Sequence, residues 1–357
     1  LRALDLGASA TMVGVVIGVC WGVSYMLTAL ITGAMVSRYG AKAMMLVGGL
    51  VFGIGSAACG FAHAPWLLLV AAPLAGAGSG FFWPSLQTYL KVEDPDETRI
   101  RSGIFNVSWT CGILSGVGLS GHAYRVIGPQ WSFWGIGALA ALVALVIAIE
   151  VRSQRPARGS LEAVADPEVP PEVGKAFLLM AWVTNFAMWL VGSSAVTILP
   201  RLARGLSFSD GAIGEMVAVV WLGQVVLFGV LATGSWWHYR KSPLIIGLLA
   251  AAFSMALFGQ GRTATVLVIA AALLGASRAP SHMGSIHYGL NAWGNRDANM
   301  GYHEAIIGAG SVVGPVLSGM AADTWGIRAP FVLGAGVLAA ALAIICLWPV
   351  RRVRQVQ

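Results

Sequence analysis

Long apolar runs, broken at short intervals by polar turns rich in glycine and proline, dominate the chain. A helix needs about 20 predominantly apolar residues to cross a bilayer core. By that measure the pattern predicts eleven spans, at 9–36, 43–62, 65–90, 102–123, 131–151, 176–200, 211–236, 243–260, 265–289, 300–321 and 329–349. Turn residues such as His63 with Pro65, Asp94 with Pro95, Gly128 with Pro129, and Asn291 with Asn295 separate them. One break is longer. Residues 152–175 are rich in Pro, Glu and Arg, a composition that buries no core and predicts a flexible linker. The expected fold is therefore an all-α membrane protein. Its parts are an N-terminal bundle over 1–151, a linker over 152–175, a C-terminal bundle over 176–350 and a short tail over 351–357.

The chain also repeats itself. Leu6, Trp21 and Tyr39 recur 200 residues later as Leu206, Trp221 and Tyr239. Gly60, Leu68 and Gly76 recur 199 later as Gly259, Leu267 and Gly275. Gly103, Gly112, Gly116 and Ser120 recur 198 later as Gly301, Gly310, Gly314 and Ser318. Ordered glycines at a nearly constant offset point to two parallel repeats, one on each side of the linker. Five spans precede the linker and six follow it. The expectation is a six-plus-six architecture whose first helix is missing from this sequence, and the spans are numbered 2 to 12 accordingly.

Composition agrees with the pattern. Of 357 residues 57% are hydrophobic and 10% charged, with a mean hydropathy of +0.77, against about 25% charged in soluble domains. The net charge of +7 sits in small clusters between apolar runs, so it predicts no nucleic-acid partner. Most of the 22 lysines and arginines fall in alternate loops, which places the turn at 33–42, the linker and the C-terminus in the cytosol. The four cysteines lie in apolar runs and show neither a disulfide framework nor a metal spacing. No nucleophile–base pair or paired acids accompany them, so neither an enzyme nor a cofactor is expected.

The turn at 33–42 carries the most specific motif. Gly33, Arg38, Gly40 and Lys42 are similar to the G-x-x-x-D-R-x-G-R-K signature of the major facilitator superfamily, with Ser37 in place of the acid and Ala41 in place of a basic residue. A second segment, Gly314, Pro315 and Ser318 with Gly319, resembles a helix-bending motif of the same family. It lies in helix 11 rather than helix 5, where the family's antiporters carry it. Residues 81–84, Phe-Phe-Trp-Pro, are similar to bacterial members, but helix 4 lacks the arginine of drug/proton antiporters. The resemblance covers essentially the whole chain. It implies secondary transport of a small organic solute by alternating access in a bacterial inner membrane, with protons as a candidate coupling ion. It implies a multi-pass monomer surrounded by the lipid bilayer. A sugar or organic-acid importer, and an inactive or truncated transporter-like protein, stand beside that reading. It also makes Gly33, Arg38, Gly40 and Lys42 an inner gate, and the loss of the acid at Ser37 predicts a looser gate that Ser37→Asp would tighten toward the outward-facing state.

Candidate site residues follow from charge and spacing. Arg278 stands near the middle of a span, where a charge costs roughly 2.5–3.5 kcal/mol on insertion scales. Helical spacing places it on one face with Ser281, His282 and Ser285. The functional reading is an anion-holding or proton-linked site on the substrate path, and the alternative is a structural pairing with a carboxylate or backbone carbonyls. Asn185 with Trp182 and Trp189 on helix 7, and Trp83 with Gln87 on helix 4, form polar–aromatic stripes suited to substrate binding or to packing. Asn106 and Trp109 on helix 5 and Gln224 on helix 8 extend them. Glu304, His282 and Glu215 are the candidates for proton coupling, with Glu304 alternatively a locked partner of Arg278 or His282 or a cap at the helix start, and Glu215 an interfacial charge or external gate. The pairs Gly112/Gly116 and Gly310/Gly314 predict close helix packing, and Pro315 a bend.

Overall fold

The computed structural model describes residues 2–8, 12, 15–92, 94–152, 169–291 and 295–349. The linker's middle and the tail at 351–357 fall outside the described residues. Helix α1 is the short Arg2–Asp5. A π-helical segment, Val15–Trp21, runs directly into α2, Gly22–Tyr39. There follow α3 (Ala41–Phe61), α4 (Pro65–Tyr89), α5 (Pro95–Val126), α6 (Pro129–Glu150) and α7 (Pro171–Gly205). The rest are α8 (Asp210–Ala232), α9 (Ser242–Gln260), α10 (Ala264–Asn291), α11 (Arg296–Trp325) and α12 (Ala329–Leu347). Ten helices among the described residues are long and apolar enough to cross a membrane. Helix α5 is not one of those ten, and its first two turns carry Asp96, Glu97, Arg99 and Arg101.

The ends follow local chemistry. Gly40, at φ +88°, lets α2 turn straight into α3, and Gly128 and Gly326, at φ +83° and +94°, make the turns before α6 and α12. Proline opens α4, α6, α7, α9 and α12, where its missing N–H is no loss. Ser209 caps α8 by accepting a hydrogen bond from the amide of Ala212 at 3.3 Å. That helix stops at Ala232, short of the predicted 236, because the chain turns back and the Trp237 indole donates to the Leu231 carbonyl at 2.9 Å. Helix α11 runs unbroken through Pro315.

The chain divides into two compact units. One comprises residues 1–91, 119–163 and 294–312, and the other 92–118, 164–293 and 313–357. In the first, α3 packs on α4 and α6, and α2 packs on α4. The fit is backbone to backbone: a Cβ on Gly55 would lie 2.3 Å from the Ala75 nitrogen, and one on Gly78 2.2 Å from that of Phe52. In the second, α10 packs on α7, α8 and α9, and α12 closes on α7 and α9. Its core includes Met188, Phe228, Phe258, Leu274, Tyr288 and Phe331. The repeat is visible in the packing. Gly76 of α4 receives the carbonyl of Trp21, and its counterpart Gly275 of α10 receives that of Val220, so neither position has room for a side chain. Outward faces are apolar, as on α6 with Leu139, Leu142, Leu145 and Ile149 exposed, which suits lipid contact.

Candidate functional site

In the second unit the site is built around Arg278 on α10. Its side chain is 2% exposed. Among the described residues its Nε and Nη2 have no hydrogen-bond partner. Instead Cζ lies 4.1 Å from the ring centre of Trp189 and 5.3 Å from that of Trp221, so two indole faces hold the cation. Gly192 on α7 makes this possible, since a Cβ there would meet Cδ and Nε of Arg278 at 3.2 Å. Trp109 of α5 completes the aromatic group. Its ring centre is 6.2 Å from Trp189, 6.5 Å from Trp221 and 5.2 Å from His282, which stacks on it at 7°. Asn185, one turn before Trp189, and Gln224, one turn after Trp221, are fully buried. Neither side-chain amide has a hydrogen-bond partner among the described residues. Ser281 spends its hydroxyl on the Arg278 carbonyl, at 3.0 Å, within its own helix. Asn106 donates to the Ser102 carbonyl at 2.8 Å.

In the first unit the corresponding feature is acidic. Glu304, buried on α11, accepts hydrogen bonds from the Tyr25 hydroxyl of α2 and from the Gln87 amide of α4. Trp21 stacks on Tyr25 with ring centres 5.2 Å apart. Trp83 is half-buried and meets Phe82 edge-on at 5.1 Å. Glu215, in the second unit, is exposed. Sequence reasoning had Glu304 and Gln87 but missed Tyr25, and it had Arg278 and Trp189 but missed Trp221 and Gly192. A phenol inside an apolar run was the available signal for Tyr25, because a buried hydroxyl needs a partner.

Two contacts at helix ends concern the proposed gate. In the first unit a Cβ on Gly33 would lie 2.5 Å from the Ala298 Cα, so α2 and α11 meet through backbone. The Ser37 hydroxyl donates to Asp297 Oδ2 at 2.9 Å. An acid thus stands across the contact from position 37, so Ser37→Asp would set a second carboxylate beside Asp297. Arg38 is exposed over its neighbour Tyr39, and Lys42 donates to the Ala148 carbonyl near the end of α6, at 2.8 Å. In the second unit Arg99 donates to the Ala232 carbonyl at 2.5 Å, and Gly103 abuts Ala232. His238, in the loop after α8, is held near pKa 4, below its ordinary value, by burial first and then by Arg99, with Asp96 opposing. The glycines expected to pack in pairs divide: Gly314 lies against the Leu190 carbonyl, but nothing among the described residues approaches Gly112 or Gly116 within 4 Å. Both are exposed, and Gly103 makes the close contact of α5 instead.

The family model of the Major Facilitator Superfamily matches residues 2–288 and 177–357. Over 267 residues, 71% of the chain, it is 26% identical to "Multidrug resistance protein MdtH" of Shigella sonnei. Over 180 residues, 48% of the chain, it is 31% identical to "Multidrug resistance protein 1" of Bacillus subtilis. Those matches span 63% and 46% of the relatives' own lengths. Among solved structures, the human organic anion transporter MFSD10 superposes with a TM-score of 0.74 at 17% identity, covering 96% of this chain and 87% of that one. The transporter FucP in its outward conformation gives 0.73 at 14% identity, covering 98% and 93%. At these identities the structural likeness shows the fold alone.

Proposed function

The chain belongs to the Major Facilitator Superfamily and is a multi-pass membrane transporter rather than an enzyme, and from that premise we propose that it moves a small organic solute by secondary active, alternating-access transport. The observation that carries this reading is Arg278, a buried cation in a membrane-spanning helix with bare N–H groups and aromatic neighbours. Intramembrane charges are kept for function far more readily than for stability. Arg278, His282, Asn185, Trp189 and Gln224 hold the solute, with Trp109 and Trp221 as walls.

Glu304 carries the coupling proton. When ionised it accepts from both Tyr25 and Gln87; when protonated its hydroxyl becomes a donor, and the bond to Tyr25 can reverse so that the phenol oxygen accepts from the acid. That exchange gives α2, α4 and α11 two hydrogen-bonded arrangements, which is what coupling requires. In this reading the two pseudo-symmetric bundles meet at the 152–175 linker. Linker and C-terminus face the cytosol of a bacterial inner membrane, and the helix-end contacts at Gly33 and Ala232 part when the cytosolic side opens. The multidrug resistance names of the relatives favour a drug-like organic solute, for which indole walls are well suited.

The test is flux in proteoliposomes of purified protein. Solute should accumulate against a pH gradient in the wild type and not in Arg278→Ala. Wild-type flux in that variant removes Arg278 from the solute path, and indifference to the gradient removes Glu304 from coupling.

A further inference from the structure

The Arg278 site says more about its ligand than that it is organic. The two unpartnered nitrogens, Nε and Nη2, share one edge of the guanidinium. That edge is a side-on fork of parallel N–H donors whose spacing fits the two oxygens of a carboxylate. Trp189 and Trp221 already lie against the guanidinium carbon, and the N–H edge is where an anion can be answered by hydrogen bonds. Among the described residues of this unit Arg278 is also the one buried formal charge. A single buried cation balances a single negative charge. A second charge on the ligand would stay uncompensated in the apolar interior.

The surroundings define the rest of the molecule. Trp109, Trp189, Trp221 and His282 have ring centres within 5.2–6.5 Å of one another in a connected group. Such faces accept a flat conjugated ring at little cost in side-chain entropy. The Trp189 indole N–H and the amides of Asn185 and Gln224, all without partners among the described residues, can answer one or two neutral polar substituents. A sugar would need many more polar partners than this group offers, and a cationic drug would be repelled by Arg278.

Building on the transport reading above, we infer that the ligand of this site is a small organic monoanion: a carboxylate on a flat aromatic ring, with the carboxylate on the side-on fork of Arg278 and the ring among the indoles.

The experiment is calorimetric titration of the full-length protein in lipid nanodiscs with benzoate and indole-3-acetate. Controls are the neutral isosteres benzamide and indole-3-acetamide, and octanoate as a carboxylate without a ring. Both aromatic carboxylates should bind, and the amides and octanoate at least tenfold more weakly. Arg278→Lys, which keeps the charge and loses the fork, should lose at least tenfold in carboxylate affinity. The ligand series is read on the wild type, so it stands even if a variant fails to fold. Amides or octanoate binding as tightly as the aromatic acids, no aromatic acid binding, or a folded Arg278→Lys with wild-type affinity would each overturn the assignment. The same protein in proteoliposomes separates the two claims. Arg278-dependent binding of benzoate without its counterflow sustains the ligand class and sinks the transport reading, whereas flux of a neutral dye with no aromatic acid bound does the reverse.

Discussion

Each compact unit buries charge, and the two treat it in opposite ways. In the unit that contains α2 to α4, Glu304 is met by Tyr25 and Gln87, and Asp297 by Ser37. In the unit that contains α7 to α10, Arg278 has ring faces about it, and among the described residues its Nε and Nη2 have no hydrogen-bond partner. A buried ion with partners belongs to a definite arrangement of helices, and losing one partner disturbs that arrangement. A buried ion without partners destabilises the empty protein and is relieved when something binds. The first is suited to a switch, the second to a receptor.

The contrast is tested most severely at Arg278. Arg278→Ala should cut flux by about 100-fold or more while leaving the melting temperature unchanged or raised, because it removes an uncompensated buried charge. A large drop in melting temperature would show instead that Arg278 has a structural partner. Glu304→Gln should leave solute exchange close to wild type and reduce accumulation driven by a pH gradient by roughly tenfold, since the amide no longer takes up a proton. Loss of exchange as well would place Glu304 in the solute site. Ser37→Asp sets a second carboxylate against Asp297, a repulsion on the order of 1–4 kcal/mol. It should therefore open the cytosolic side, read as faster labelling of cysteines introduced there; slower labelling would restore the expectation drawn from the motif.

Two smaller effects sharpen the picture. Gly192→Ala would press a methyl group against Arg278 Cδ and Nε, and should weaken solute affinity several-fold with little change in stability. His238 tests the loop after α8. Its folded-state pKa, about 4, lies below the ordinary 6.5, so the folded protein binds fewer protons than the unfolded one in that interval. Stability should be fully present above pH 6.5 and decline as pH falls through about 4. His238→Gln should flatten that decline in a thermal melt; an unchanged profile would assign the acid sensitivity elsewhere.

Much of the fold was legible because the membrane imposes simple rules. Apolar runs of sufficient length gave the helices, and Gly40, Gly128 and the opening prolines gave their ends. The error at α8 has a plain cause: Trp236 and Trp237 count as apolar in a hydropathy window, yet the Trp237 N–H needs an acceptor, and the Leu231 carbonyl supplies it. The site was legible where the cue was local. A lone arginine in a span announces itself, but the bond of Tyr25 to Glu304 joins residues 279 apart, and no spacing reveals it. Trp221 was visible only as a repeat mate of Trp21. The glycine pairs show another limit. Small residues one turn apart permit close approach, but at Gly112 and Gly116 no partner takes it up among the described residues.

The offset that links Gly103 to Gly301 also links Arg99 to Asp297, so equivalent helix starts carry opposite charges. Each is matched to its own mate: Arg99 to the carbonyl end of α8 at Ala232, Asp297 to the hydroxyl of Ser37 on α2. The two helix starts are therefore not interchangeable: an acid at position 99 would set a carboxylate against the carbonyl end of α8, the negative pole of that helix, where the guanidinium now sits.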